Sequence, residues 1–306
     1  MNWYRVTLQL NSWVASAWQA DTIFGHLCWG MRYLYGEDRL VEFLYLYEKG
    51  TPPLVLSNGF PGDLLPQPLT APLIVDRGLP PEEQRLQFRT YKNARKARYL
   101  TRKEFEDALN GDLVLSTAGD FEVKRVTLKN QLNRLTSTTG EEGSLYNFEE
   151  YYWREVTIYL KLVDSFIDVV ERMFHYIVHT GYGKRKSTGY GQVTLKSFEP
   201  FAGFTISDTA NGFVTLSNFV PAENDPAQGN WRTMVKYGKM GEEYATGEHV
   251  FKKPLLMMEA GSAFYDNQRR EYYGCLVKGL NPHYPDAVQY AFALPVPMVL
   301  PVNPAY

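Results

Sequence analysis

The sequence has little cysteine, and this scarcity excludes two kinds of stabilising chemistry. Its 306 residues include 2 cysteines, Cys28 and Cys275, which are too few for a disulfide framework in a chain of this length. Neither cysteine lies in a C-x-x-C motif, so the spacing does not indicate a zinc site. We therefore expect a reduced protein without a bound metal or cofactor.

Long apolar runs are also missing. No stretch is apolar over the roughly 20 residues that a membrane-spanning helix needs. The first residues lead directly into an apparent strand and lack the apolar region of a signal peptide. We therefore expect a cytoplasmic protein with no membrane partner.

An excess of positive charge is absent as well. The formal net charge is −2, so any nucleic acid has to be bound by a local patch or a projecting element. Hydrophobic residues make up 44% of the chain and charged residues 22%, which is typical of a globular protein with a substantial core. The length suits one large domain or two of ordinary size.

Apolar periodicity in residues 1–200 predicts a ferredoxin-like unit. The expected elements are a strand at 3–10, a helix that Asp21 caps and Gly36 ends, a strand at 152–163, a helix at 164–179 and a strand at 192–198. With the short strands expected in between, they give the order βαββαβ. That order is typical of an antiparallel sheet with helices on one face, which is an α+β fold.

Between the first helix and the strand at 152–163, the sequence predicts short strands and a long insertion. Proline and glycine crowd residues 51–81 and indicate short strands joined by fixed turns. Within the insertion we expect a short helix at 102–109 and strands at 112–117 and 121–128.

Residues 201–306 form a second, more irregular α+β unit in this prediction. The expected strands lie at 213–220, 254–260, 271–277 and 289–294. Pro200 and Gly203 mark the boundary, although the strand before residue 163 also allows a boundary nearer Tyr151. The predicted domains are therefore 1–200 and 201–306.

A glycine-rich loop at 181–191 carries the strongest local signal, with the sequence G-Y-G-K-R-K-S-T-G-Y-G. Its glycines permit positive φ and turn N–H groups outward, and its cations, hydroxyls and rings suit a polyanion. The residues expected to bind RNA are Gly181, Gly183, Lys184, Arg185, Lys186, Ser187, Gly189, Tyr190 and Gly191. Tyr182 and Tyr190 both offer rings for stacking on bases.

The glycine-rich loop has three other interpretations. It is not a phosphate-binding P-loop, because Gly183-Lys184 is followed by Arg185 and the loop runs from a helix into a strand. A dinucleotide-binding fingerprint fails for the same topological reason. A flexible connection with solvated charges remains the alternative.

The predicted helix, this loop and the strand after it resemble the RAMP superfamily of CRISPR RNA-binding proteins. Further segments narrow the resemblance to the family of the fourth subunit of the type III-A (Csm) effector complex: 21–29, 133–136 leading to 145–146, and 252–254 followed by 261–264. The resemblance spans nearly the whole chain.

This resemblance implies a fold of two ferredoxin-like (RRM-like) units and a non-catalytic role. It implies that the chain binds the 5′ handle of a crRNA and caps that end of the complex. The implied protein partners are the large polymerase-like subunit and the first backbone RAMP subunit. It also implies a protruding thumb that enters the duplex of guide and target RNA and displaces a base.

A basic segment at about 77–103 is where we place this thumb. Its cations are interleaved with Phe88, Tyr91 and Tyr99, and such a mixture suits contacts with phosphates and bases. The cations expected to bind RNA are Arg89, Lys92, Arg95, Lys96 and Arg98, together with a second cluster of Arg125, Lys129 and Arg134. A solvated surface segment and ordinary charges at strand ends are the alternatives.

Catalytic residues are not expected. His26 is the candidate for an acid–base role in RNA cleavage, but its apolar neighbours favour a packed histidine. His175 and His179 have the spacing of a metal pair without an evident third ligand, and Asp112 matches the cleaving aspartate of backbone subunits by one letter only. The alternative functions are a metal-independent endoribonuclease that processes crRNA precursor and a general single-strand-binding module.

Overall fold

A computed structural model describes residues 1–70, 78–119, 122–130, 132–133, 135, 138–139 and 145–301. Its α-helices are α1 (Ala20–Tyr35), α2 (Glu37–Glu48), α3 (Pro81–Ala94), α4 (Arg102–Leu109) and α5 (Ile167–Thr180).

The strands of the first 200 residues are β1 (Asn2–Leu10), β2 (Leu54–Pro61), β3 (Leu65–Pro66), β4 (Tyr99–Leu100), β5 (Val123–Asn130), β6 (Leu132–Asn133), β7 (Thr138–Thr139), β8 (Leu145–Tyr152), β9 (Glu155–Leu162) and β10 (Val193–Pro200). Those that follow are β11 (Gly212–Thr215), β12 (Gly229–Asn230), β13 (Thr233–Lys236), β14 (Leu255–Met258), β15 (Ala263–Tyr265), β16 (Tyr273–Val277), β17 (Gln289–Ala293) and β18 (Pro295–Met298).

The main sheet has the order β10-β1-β9-β2, and all neighbouring strands are antiparallel. Taken in chain order, its four strands lie 4-1-3-2, which is the ferredoxin-like arrangement. Val6 pairs with Ile158 on one side and Phe198 on the other. The predicted α+β class is confirmed, and the alternation seen in the first strand buries Val6, Leu8 and Leu10.

The ends of the helices partly follow the sequence signals. Helix α4 begins after Thr101, whose side chain accepts the N–H of Glu104 in a capping box, so the helix predicted at 102–109 is confirmed. We expected Asp21 to be the N-cap of α1, and this prediction is wrong. That position is Gln19, because the Asp21 carboxylate is occupied by Lys236 at 2.8 Å and by Gln289 at 2.5 Å.

The insertion differs most from the prediction. Its basic segment forms helix α3, which the sequence did not indicate, and residues 112–119 do not form the expected strand. There the Glu104 carboxylate accepts both the N–H and the hydroxyl of Thr117, at 2.7 and 2.6 Å, and holds the chain in an irregular path. Strands β5 and β8 then pair over eight residues each as a two-stranded ribbon.

The second half repeats the strand order of the first. Its sheet runs β12-β15-β11-β18 with antiparallel neighbours, so its strands in chain order also lie 4-1-3-2. No α-helix occurs among the described residues from 201 to 301. Irregular chain between β11 and β12, and the hairpin β16–β17 between β15 and β18, take the positions of the two crossover helices. The hairpin β13–β14 is inserted between β12 and β15.

The two halves share one hydrophobic core. Tyr290 from β17 lies 4.6 Å from the ring of Phe24 in α1, and its hydroxyl accepts the N–H of Leu56 at 3.0 Å. Phe292 packs against Tyr47 at 5.5 Å. Helices α1 and α2 therefore cover apolar side chains of both regions.

Candidate nucleic-acid interface

The base of the glycine-rich loop, which we call the loop stem (181–183 and 190–191), is anchored by a buried tyrosine. The ring of Tyr182 stacks on Trp18 with centroids 3.7 Å apart, and its hydroxyl donates to the carbonyl of Ala17 at 2.7 Å. Tyr182 has no exposed surface. The prediction that its ring stacks on bases is therefore wrong, because the ring is buried in the core against Trp18.

Three of the loop glycines are required by this stem. A Cβ at Gly191 would lie 1.9 Å from the carbonyl oxygen of Tyr182, and one at Gly183 would lie 2.7 Å from Ser16. Gly181 has a φ of 82° and donates its N–H to the carbonyl of Ile177. This conformation ends α5 at the preceding residue. These glycines shape the loop, and their predicted contact with RNA stays a prediction.

His26 and Ser16 accept hydrogen bonds from the backbone of the loop. The Nε2 atom of His26 accepts the N–H of Gly183 at 3.0 Å, while Ser16 accepts the N–H of Lys184 at 2.9 Å. Burial lowers the pKa of the imidazole to about 3, and the nearby ammonium of Lys186 acts in the same direction. His26 is therefore a neutral hydrogen-bond acceptor. This state does not suit a general acid in RNA cleavage, which is the role for which the sequence made His26 a candidate.

The exposed part of the loop, the loop tip (184–189), presents main-chain donors. Arg185 adopts the left-handed conformation, and a 3-10 turn follows at Lys186–Thr188. The N–H groups of Arg185, Lys186 and Ser187 have no acceptor among the described residues. A left-handed residue before a right-handed turn makes a concave nest of N–H groups that suits an anion.

The three cations of the tip differ in availability. Lys184 is exposed and makes no ion pair within the described part of the chain. Arg185 is also exposed, donates to the hydroxyl of Tyr146 and lies 5.0 Å from the ring centre of Phe148. Lys186 is half-buried in an ion pair with Glu242, so two of the three charges are free to meet phosphate.

The ribbon formed by β5 and β8 lies beside this tip, and Glu150 joins the two. This buried carboxylate accepts from Arg125 at 2.5 Å and Lys129 at 3.3 Å, and also from the hydroxyl of Tyr190 in the loop stem. Thr127 adds a further hydrogen bond at 3.2 Å.

Burial alone would raise the pKa of the Glu150 carboxyl, but these hydrogen bonds outweigh it and lower the pKa to about 2. Arg125 and Lys129, both predicted to bind RNA, are thus already paired with a carboxylate that their sequence positions did not reveal. Arg134, the third cation of this predicted cluster, lies outside the described residues.

The basic segment keeps most of its charge exposed. The side chains of Arg89, Lys92, Arg95 and Lys96 are exposed along α3 and just beyond it, while Arg98 pairs with Glu122 at 3.1 Å. The helix is anchored through the buried Tyr91 and Ala94 near its end. Arg77, where the predicted thumb begins, lies outside the described residues.

Metal ligands and membrane-spanning helices are the remaining features that bear on function. Among the described residues, no group of three or more histidine, cysteine, aspartate or glutamate side chains is placed to hold a metal ion. His175 and His179 are both exposed on α5. None of the described helices is long and apolar enough to cross a membrane.

Comparisons with known proteins show what the chain resembles in sequence and in fold. No family model matches the chain. The CRISPR system protein Csm4 of Thermococcus onnurineus (strain NA1) is 26% identical over 229 residues, which cover 72% of this chain and 74% of that protein.

Solved structures of Csm4-containing assemblies have the same fold. A chain from a Csm1–Csm4 cassette with AMPPNP gives a TM-score of 0.66 at 18% identity, covering 99% of this chain and 100% of that chain. A chain from a Csm3–Csm4 subcomplex of the type III-A interference complex gives 0.63 at 13% identity, covering 99% and 100%.

The ferredoxin-like sheet, with the glycine-rich loop between α5 and its edge strand β10, defines the chain as an α+β protein. Its sequence resembles that of the CRISPR protein Csm4, and its fold resembles chains of Csm1–Csm4 and Csm3–Csm4 assemblies. The resemblance inferred from the sequence is confirmed.

Proposed function

We propose that the chain is a non-catalytic crRNA-binding subunit of a type III-A CRISPR effector complex. In this role it caps the 5′ handle of the guide. The observation that carries the proposal is the loop tip, where the N–H groups of residues 185–187, which have no acceptor in the described part of the chain, lie beside the exposed cations Lys184 and Arg185. Donors and charge arranged in this way suit the sugar-phosphate backbone of an RNA.

The neighbouring ribbon adds aromatic surface to the same site. Tyr146 and Phe148 project from β8 toward Arg185, and unpaired bases stack on rings and on guanidinium planes. Phosphates would thus lie on the loop tip while bases turn toward the ribbon. Arg125 and Lys129 hold the ribbon in place and meet the RNA only where Glu150 leaves them exposed.

The proposed protein partners are the large polymerase-like subunit and the first backbone RAMP subunit. Solved relatives are Csm1–Csm4 and Csm3–Csm4 assemblies, which supports this choice. Helix α3 is the proposed thumb, acting on the duplex of guide and target RNA. Its exposed cations and the exposed Leu86 and Phe88 suit an element that contacts phosphates and wedges between bases.

The first experiment is a combined binding and cleavage assay. A 5′-labelled crRNA with its handle is incubated with the purified chain, alone and with the two partner subunits. We expect handle-dependent binding that strengthens with the partners and leaves the RNA intact. Specific cleavage that His26→Ala abolishes would instead establish the processing endoribonuclease, and equal binding of unrelated RNA would establish a general single-strand-binding module.

The pairing of the loop cations makes a sharper prediction. Replacing Lys184 and Arg185 by alanine should lower the slope of log affinity against log salt by about 1.4, because two single-strand phosphate contacts are lost. Lys186→Ala should change this slope much less, since Glu242 already neutralises Lys186. The slope is measured by filter binding of handle RNA over a range of salt concentrations.

A matched control for this variant lies on α2 and the residue that ends it. Arg39→Ala with Lys49→Ala removes two exposed cations, one from the helix and one from its C-cap, outside the proposed RNA path. This control should keep the wild-type slope. A loop variant whose slope equals that of the control would remove the loop tip from the RNA path.

A further inference from the structure

The chain that joins β13 to β14 lies against α1 and reaches the loop tip. Within it, residues 241–245 form a segment that we call the strap. Glu243 of the strap accepts hydrogen bonds from Arg32 at 3.2 Å and from the hydroxyl of Tyr33 at 3.0 Å. Because both donors belong to α1, the strap is fixed to the first half of the chain.

The preceding residue, Glu242, contacts the loop tip instead. Its carboxylate forms an ion pair with Lys186, and the two side chains are only 19% and 21% exposed. The described part of the chain contains two residues other than glycine with a positive φ, Arg185 at 59° and Glu242 at 46°. Both lie at this contact, since Arg185 directly precedes Lys186. Such conformations are costly and concentrate at ligand clamps and other functional sites.

The side chain of Lys186 runs over the loop stem and is not directed into solvent. Its Cβ lies 3.1 Å from the position that a Cβ on Gly181 would take. Its ammonium is near enough to His26 to help lower the pKa of that imidazole. An ion pair that is largely removed from water is costly to break by removing one partner, so the pair with Glu242 holds Lys186 in this place.

The main chain of Lys186 belongs to the group of N–H donors at 185–187. Apart from Glu242, the contacts that hold the tip are Ser16, which accepts the N–H of Lys184, and Tyr146, whose hydroxyl accepts from Arg185. The ion pair therefore fixes the residue at the middle of the donors, while its neighbours remain turned outward.

We propose that Glu242 and Lys186 are positioning residues for RNA binding, whose ion pair ties the loop tip to the strap and orients the N–H groups of 185–187 toward a phosphate. The proposal rests on the proposed function for the identity of the ligand. It gives Lys186 a role different from the direct RNA contact expected from the sequence. Lys186 acts through the backbone that it holds, while Lys184 and Arg185 meet the phosphates.

The variant Glu242→Gln tests this role by the direction of its effect. It removes a negative charge beside the tip, so electrostatic attraction alone would strengthen RNA binding. Loss of the tie predicts the opposite, a fall in affinity for handle RNA of about threefold to tenfold, because the tip must then be ordered on binding. The slope of log affinity against log salt should keep its wild-type value, since Lys184 and Arg185 are unchanged.

A matched control lies in the same connection between β13 and β14. Glu248→Gln removes the same charge from an exposed residue that has no ion pair in the described part of the chain, and it should not weaken binding. A rescue variant exchanges the two charges. Lys186→Glu combined with Glu242→Lys restores the pair in reverse, and it should bind handle RNA more tightly than Lys186→Glu alone.

Hydrogen exchange of the free chain tests the tie without RNA. The N–H of Lys184 donates to Ser16, and the N–H of Thr188 donates to the carbonyl of Arg185, both at 2.9 Å. These two amides should exchange faster in Glu242→Gln than in the wild type, because the turn that contains them opens more often. In Glu248→Gln they should exchange at the wild-type rate.

The outcomes separate this proposal from the proposed function. Wild-type affinity of Glu242→Gln for handle RNA would overturn the positioning role. Tighter binding with a slope steeper by about 0.7 would also overturn it, and would make Glu242 a gate that masks a phosphate-binding lysine. If the wild-type chain does not bind handle RNA, the proposed function is refuted, and faster exchange in Glu242→Gln would still support the tie between strap and tip.

Discussion

The Nε2 atom of His26 accepts a hydrogen bond from Gly183, and it can do so only while that nitrogen carries no proton. In the folded chain the pKa of His26 is about 3, whereas an unfolded chain has the ordinary value of about 6.5. Between these values the unfolded state binds the extra proton. The stability that the neutral imidazole provides is complete above about pH 6.5 and is lost as the pH falls toward 3.

A measurable pH dependence follows at this residue. The free energy of unfolding should fall by about 1 to 2 kcal/mol between pH 7 and pH 5 through His26 alone. His26→Gln keeps an acceptor near Gly183 but does not titrate, so its stability should change less over the same range. Urea unfolding of both proteins at the two pH values measures the difference, and identical losses would contradict the assignment.

Individual residues also mark the limit of what the sequence can predict. Tyr182 and Tyr190 both lie between glycines, yet one is buried against Trp18 and the other bonds to Glu150. Lys186 is paired with Glu242, 56 residues away along the chain. Sequence spacing identifies the cations and rings of a site, but only the tertiary fold decides which of them are already paired.

At the scale of the elements, helix α3 is the proposed thumb, and its proposed RNA contact differs from that of the loop tip. Its charges should matter for the duplex of guide and target and not for the handle, because the helix is a different element from the loop tip. Arg89→Ala with Lys92→Ala removes two exposed cations three residues apart on one face. We expect the salt slope for duplex binding to fall by about two, and the slope for the guide alone to remain unchanged.

Filter binding of assembled complexes with guide RNA, with and without target RNA, tests this prediction. The variant that lacks Arg39 and Lys49 again serves as the control. Equal losses for guide and duplex would place α3 on the guide path and refute its role as the thumb.

The elements that the sequence predicted share a clear apolar period. Strand β1 alternates and helix α5 buries Val170, Met173, Phe174 and Ile177 on one side. Helix α3 has no such stripe, since only Tyr91 and Ala94 are buried. Its many cations predicted a basic thumb, with a solvated segment as the alternative, but did not predict a helix. A helix that projects from the body has no apolar face for the pattern to reveal.

For the molecule as a whole, the shared core bears on the predicted division at residue 200. Tyr290 and Phe292 pack against Phe24 and Tyr47 across that boundary, so the larger core cluster is shared by both regions. A smaller cluster around Phe219 and Phe264 belongs to the second region alone. We expect one cooperative unfolding transition in calorimetry, with equal van't Hoff and calorimetric enthalpies. A fragment of residues 1–200 would expose these rings and should aggregate or remain partly unfolded.

Two well-separated transitions would contradict this expectation and support independent domains. A soluble fragment 1–200 with a native near-ultraviolet spectrum would do the same. The matched comparison is Tyr290→Phe, which removes the hydrogen bond to Leu56 and keeps the ring. It should lower the midpoint of the single transition without splitting it.

The stem and tip of the glycine-rich loop differ in how freely they can change. A side chain at Gly183 or Gly191 collides with neighbouring atoms, whereas Lys184, Ser187 and Thr188 point into solvent. Substitutions at the tip should therefore change the surface that the loop presents without disturbing how the loop is held. The proposed RNA contacts could thus be altered one exposed residue at a time, by evolution or by engineering, while the stem that supports them stays the same.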